Sequence, residues 1–220
     1  MRERQIIDSA AAKRRIARSA HPQLYRIIFG LDAWLSRWAL VTEYSSDPRC
    51  IFRIHVGQLD QDVALSDGTV ARGGDRVVDL HLWNEHVPLM PKHGATIAWL
   101  RQMCFCMEVS LRELEKHLMV RPLLDNVSIL RANFIFAVSE QSIQMVRLSQ
   151  RYGFEPISAP PPLSMLQRAY QLGENVLISL MARASSAQSL ERGTLRRDRT
   201  QVFLPRRLLA RRYRESDRSP

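Results

Sequence analysis

Cysteine is scarce in this chain of 220 residues. Cys50, Cys104 and Cys106 are an odd set with no C-x-x-C, which supports neither a disulfide framework nor a zinc knuckle and points to a reducing compartment, taken here as the cytoplasm. Long apolar runs are missing too. The best candidate, residues 24–41, is broken by Arg26, Asp32 and Arg37, so no segment is expected to span a bilayer, although one could lie on it. Near the start, Lys13, Arg14, Arg15 and Arg18 interrupt any apolar stretch, so no secretion signal is expected. The usual enzyme signatures do not occur: there is no G-x-S-x-G, H-E-x-x-H, P-loop or dinucleotide fingerprint, and no internal repeat of fixed period.

What is abundant is arginine, and its placement matters more than its number. The formal charge is +10, a figure that invites a nucleic-acid or anionic-membrane reading. Residues 1–26 carry seven basic and two acidic side chains, and residues 189–220 carry ten and four, so the stretch between them, with 15 and 16, is close to neutral. The chain is 45% hydrophobic, enough for one domain with a proper core. This divides it into a basic N-terminal segment (1–21), a domain (22–183) and a basic mobile tail (184–220).

Hydrophobic periodicity predicts an α+β domain: a mainly antiparallel sheet with helices packed on it. Residues 22–41 have a helical period through Leu24, Ile27, Ile28, Leu31, Leu35 and Trp38, with Pro22 at a tolerated first-turn position. From Cys50 the period becomes two, and Asp67-Gly68 and Gly73-Gly74-Asp75 read as turns before a strand over 77–83. From Gly94 the period returns to 3.6, and Ile97, Leu100, Cys104, Met107, Leu111, Leu114 and Leu118 predict a central core helix with Cys104 on its stripe and Cys106 off it. A strand over 128–138, a helix over 140–151 capped at Gly153, a short strand over 154–157 and a last helix after Pro160-Pro161-Pro162 follow.

The segment from Gly74 to Pro88 concentrates two His, two Asp, an Asn and a Glu at a strand end. Alternation places Asp79, His81 and Trp83 on one face, with the carboxylate and the imidazole about 7 Å apart along the strand. Asn84 and His86 lie just past it, and His55, at the end of an earlier strand, can approach from a neighbour. Such groups line polar ligand pockets, hold a general base or ligate a metal; they also simply satisfy turn backbone and one another. The fixed multi-ligand spacing of a metal site is missing, so no metal is assigned, and no cofactor is specified. The weak catalytic candidates are Asp79, His81 and His86.

The run Gly74-Asp75-x-Val77-x-Asp79-Leu80-His81-Leu82-x-Asn84-x-His86-x-Pro88, with a helix about ten residues later and Arg151-Tyr152-Gly153-Phe154-Glu155 beyond, resembles the YkoP-like domain of bacteria over roughly residues 35–182. That family brings no established activity. The resemblance implies a context of polysaccharide deacetylases and glycosyl-transfer genes, and hence work on cell-envelope carbohydrate or lipid-linked sugar. Arg151 to Glu155 is also similar to the helix-to-strand turn of N-acetyltransferases, but the glycine-rich loop that holds their cofactor is absent.

The expected function is therefore an accessory or ligand-binding module that takes a carbohydrate or lipid-linked ligand at Asp79, His81, Trp83, Asn84, His86 and His55. Whether this cluster turns a substrate over, as a hydrolase or transferase, is left open. A further alternative uses the charged ends. Arg196, Arg197, Arg206, Arg207, Arg211 and Arg212 suit anions, and Tyr25, Arg26, Trp34, Arg37 and Trp38 are residue types of an interfacial helix that gives peripheral contact with an anionic membrane. Nucleic acid is the weaker partner, because only Phe203 and Tyr213 are interleaved for stacking.

Overall fold

The computed structural model describes residues 22–38, 40–88, 91, 96–135, 149–157, 173 and 199–214. Helix α1 (Pro22–Trp38) begins at its proline. Strand β1 (Phe52–Gln58) leads to a small hairpin of β2 (Val63–Ala64) and β3 (Val70–Ala71), and β4 (Arg76–Leu82) returns beside β1. The hairpin turns at Asp67-Gly68, where Gly68 takes a φ of 82°, and Gly74 (φ 89°) makes the turn into β4. Both conformations favour a residue without Cβ.

Helix α2 (Ile97–Met119) starts at Thr96, whose hydroxyl accepts from the Trp99 N–H, and carries Lys116 and His117 in its last turn, where the helix dipole favours positive charge. After a 3₁₀ turn (Pro122–Leu124) come β5 (Ile129–Ile135), a helical end at 149–151 closed by Gly153 at φ 89°, β6 (Glu155–Pro156), β7 (Arg199–Pro205) and α3 (Arg206–Arg214).

The large sheet has the order β1-β4-β5-β7-β6. Its pairings are antiparallel except β4 with β5, where α2 supplies the crossover that parallel neighbours require. This is one α+β domain. One sheet face, with Ile54, Val78, Leu80, Leu130, Ala132, Val202 and Leu204, packs on Cys106, Met107, Leu111, Leu114 and Leu118 of α2 and on Leu209 and Tyr213 of α3. On the opposite face, Val77, Ile129 and Phe203 are covered by Leu59, Val63, Leu65 and Ala71 around the β2–β3 hairpin.

Three expectations need correction. Residues 199–214 are no mobile tail, because β7 lies between β5 and β6 and Val202, Phe203 and Leu204 are almost fully buried; the domain therefore runs past 183. The core face of α2 contains Cys106 while Cys104 is only partly buried, and Ile97 and Leu100 are exposed, because the sheet lies under the later turns of the helix. Among the α1 residues whose side chains are described, Ile28, Phe29, Asp32 and Ala33 are buried, whereas Ile27 is exposed. The helix expected over 140–151 is described only at 149–151, and the one expected after Pro162 lies outside the described residues.

Candidate functional site

The polar residues of the Gly74–Pro88 segment lie on the sheet face opposite α2. Paired residues of neighbouring strands share a face, and the register sets His55 opposite Asp79, Arg53 opposite His81, and Asp79 beside Arg131. Arg131 Nε donates to one Asp79 oxygen at 2.6 Å and Nη2 to the other at 3.0 Å, while Nη1 reaches Asp60 at 2.9 Å. Burial alone would lower the affinity of the Arg131 guanidinium for its proton; the hydrogen bonds and charges of Asp79 and Asp60 outweigh it and raise its pKa above the ordinary value. Gly57 leaves room for this arrangement, since a Cβ there would lie 3.1 Å from an Asp79 oxygen and 3.5 Å from the His55 ring.

At the end of β4 the chain passes under α1. Asp32, from the middle of that helix, accepts from Arg53 Nη2 at 2.6 Å and from the Asn84 amide at 2.7 Å. All three residues are buried. Trp83 is buried as well; the Arg53 guanidinium lies 5.8 Å from its ring centre, and the His86 ring stacks on it at 3.7 Å, tilted by 17°. His86 Nδ1 is 2.8 Å from the Cys50 carbonyl oxygen, whose own thiol is pushed up in pKa by burial.

The two halves of the cluster are thus organised differently from a shared pocket. Asp79 belongs to an Arg131–Asp60 network, and Asn84 and His86 belong to the α1 anchor and the β1 entry. His55 and His81 are half-buried between them on the sheet face. One place further along β5 and β7 on that face are Asn133, exposed, and Gln201, half-buried, which pair across the strands. Among the described residues no three His, Cys, Asp or Glu side chains come together as a metal-ligand set, nor is any helix long and apolar enough to cross a membrane.

Asp32, Arg53 and Arg131, absent from the sequence-derived site, hold it in place. A signal existed for two of them: Asp32 breaks the apolar pattern of a core helix, and Arg53 is on the same strand face as His55.

Three of the C-terminal arginines, Arg206, Arg207 and Arg212, are built into the fold. Arg206 donates to the Leu124 and Leu118 carbonyls, capping the end of α2 and the turn after it. Arg207 pairs with Asp67 of the hairpin at 2.5 Å, and Arg212 reaches the Arg151 carbonyl while covering the rings of Tyr152 and Tyr213. Arg211 is exposed, and Arg196 and Arg197 lie outside the described residues.

Comparison with known proteins adds one decisive finding: the YkoP domain family model matches residues 23–213. The chain belongs to the YkoP domain family. The match starts within α1 and ends within α3, wider on both sides than the 35–182 of the resemblance, so the YkoP domain includes the helix that supplies Asp32 and the strand that completes the sheet. No curated protein and no solved structure matches the chain.

Proposed function

We propose that this YkoP domain is a non-catalytic, accessory module that binds a polyhydroxylated ligand, a cell-envelope polysaccharide or a lipid-linked sugar, on the polar face of its sheet. One observation carries the reading: beside an Asp79 whose two oxygens are engaged by Arg131, a strip of partly to fully exposed polar side chains, His55, His81, Asn133 and Gln201, runs across four strands. Amide and imidazole side chains suit sugar hydroxyls, which both donate and accept. The envelope-carbohydrate context implied by the family resemblance supports the same ligand class.

A hydrolase or transferase needs a carboxylate or imidazole able to move a proton at the reacting atom. Both Asp79 oxygens already accept from Arg131, and this engagement favours binding over turnover.

Isothermal titration with soluble cell-wall oligosaccharides tests the reading. The expected result is saturable binding that weakens about ten-fold or more in His81→Ala, the loss of a ligand hydrogen bond with its desolvated partner left behind, with the ligand recovered intact. Absence of binding, or equal binding by His81→Ala, overturns it. Cleaved or transferred product in the same samples replaces it with the enzymatic alternative.

A further inference from the structure

Helix α1 is anchored by polar contacts as well as apolar ones, and it leaves large apolar side chains exposed on its outward face. Asp32 is pinned beneath it by Arg53 and Asn84, and with Ile28, Phe29 and Ala33 it forms the buried arc. At 3.6 residues per turn the opposite arc contains Gln23, Arg26, Ile27, Gly30, Leu31, Trp34 and Arg37. Ile27 is 61% exposed and Trp34 60%. Just past the helix, Leu40 takes a left-handed φ of 52° and is 72% exposed.

The charges on this arc have one sign. Arg26 and Arg37 are exposed on it, and Asp32, the single acidic residue of the helix, faces inward in its ion pair. The preceding sequence continues the bias with Arg2, Arg4, Lys13, Arg14, Arg15 and Arg18 against Glu3 and Asp8. A tryptophan and an isoleucine between arginines, next to a polybasic stretch, match the two attractions of an anionic lipid surface: apolar insertion at the level of the headgroups and counter-charge.

We infer that the outward face of α1 docks this protein on an anionic lipid bilayer, with Ile27 and Trp34 entering the interface and Arg26 and Arg37 meeting the headgroups. The inference does not rest on the ligand proposed for the sheet face. The full chain is co-sedimented with phosphatidylcholine vesicles containing or lacking phosphatidylglycerol. Binding is expected only to the anionic vesicles, with an Ile27→Ser/Trp34→Ser variant about ten-fold or more weaker and an Arg26→Gln/Arg37→Gln variant about thirty-fold weaker.

Both variants alter exposed side chains and should melt like the wild type; if one does not, the other decides. Failure of the wild type to bind anionic vesicles overturns the inference, as does undiminished binding by the variants, which would locate attachment elsewhere. Concentration-dependent dimerisation without lipid, abolished by Ile27→Ser/Trp34→Ser, would assign the face to a second copy of the chain instead.

Discussion

Asp32 and Arg53 meet at 2.6 Å with both side chains more than nine-tenths buried, and Arg53 Nε has no hydrogen-bond partner among the described residues. A buried ion pair contributes little net stability when formed, but losing one partner strands a charge without water. Arg53→Met and Asp32→Leu should therefore each cost about 3 kcal/mol in urea unfolding, while the double variant recovers much of that loss because an apolar pair needs no solvation. The coupling should be about 1 kcal/mol or more; additive losses would show that the two residues are not one unit. At this scale the sequence located polar residues but not their partners. Asp79 stands out within its own segment, whereas Arg131, 52 positions away, becomes its partner only through the parallel pairing of β4 with β5.

Elements were legible where their signal is local. The period of α1, the turn at Asp67-Gly68 and the glycine cap at Gly153 all depend on neighbours a few residues apart, and all are present. Gly153 has a positive φ, and an added Cβ would run into the Leu208 side chain of α3. Gly153→Ala should lower stability by about 1–2 kcal/mol from the left-handed backbone and the forced repacking, measurable as a lower midpoint of thermal or urea unfolding; an unchanged midpoint would mean that the turn relaxes without strain. The facing of an element was harder to read. The apolar stripe of α2 continues through Ile97 and Leu100, which are exposed, while Cys106 turns inward; periodicity shows that a stripe exists, but where the sheet lies beneath it is a property of the packed molecule.

For the whole molecule, the largest revision concerns the C-terminal region. Arginine-rich composition reads as a solvated tail, yet Val202, Phe203 and Leu204 complete the sheet, and Leu209 and Tyr213 enter the core under α2. Deleting residues 199–214 removes a strand bonded on both sides, so the shortened chain should lose its cooperative melting transition and its dispersed amide resonances; a variant that melts like the full chain would restore the tail reading. The alternation of periods, the glycine turns and the α+β class were determined by the sequence alone, because each arises from sterics and spacing within a short stretch of chain. The rotation of α1, the partner of Asp79 and the membership of β7 in the sheet were decided only by the tertiary structure. Each depends on groups distant in sequence that compete for the same buried surface, which no local pattern records; at α1 that surface takes Ile28, Phe29, Asp32 and Ala33 and leaves Ile27 and Trp34 exposed.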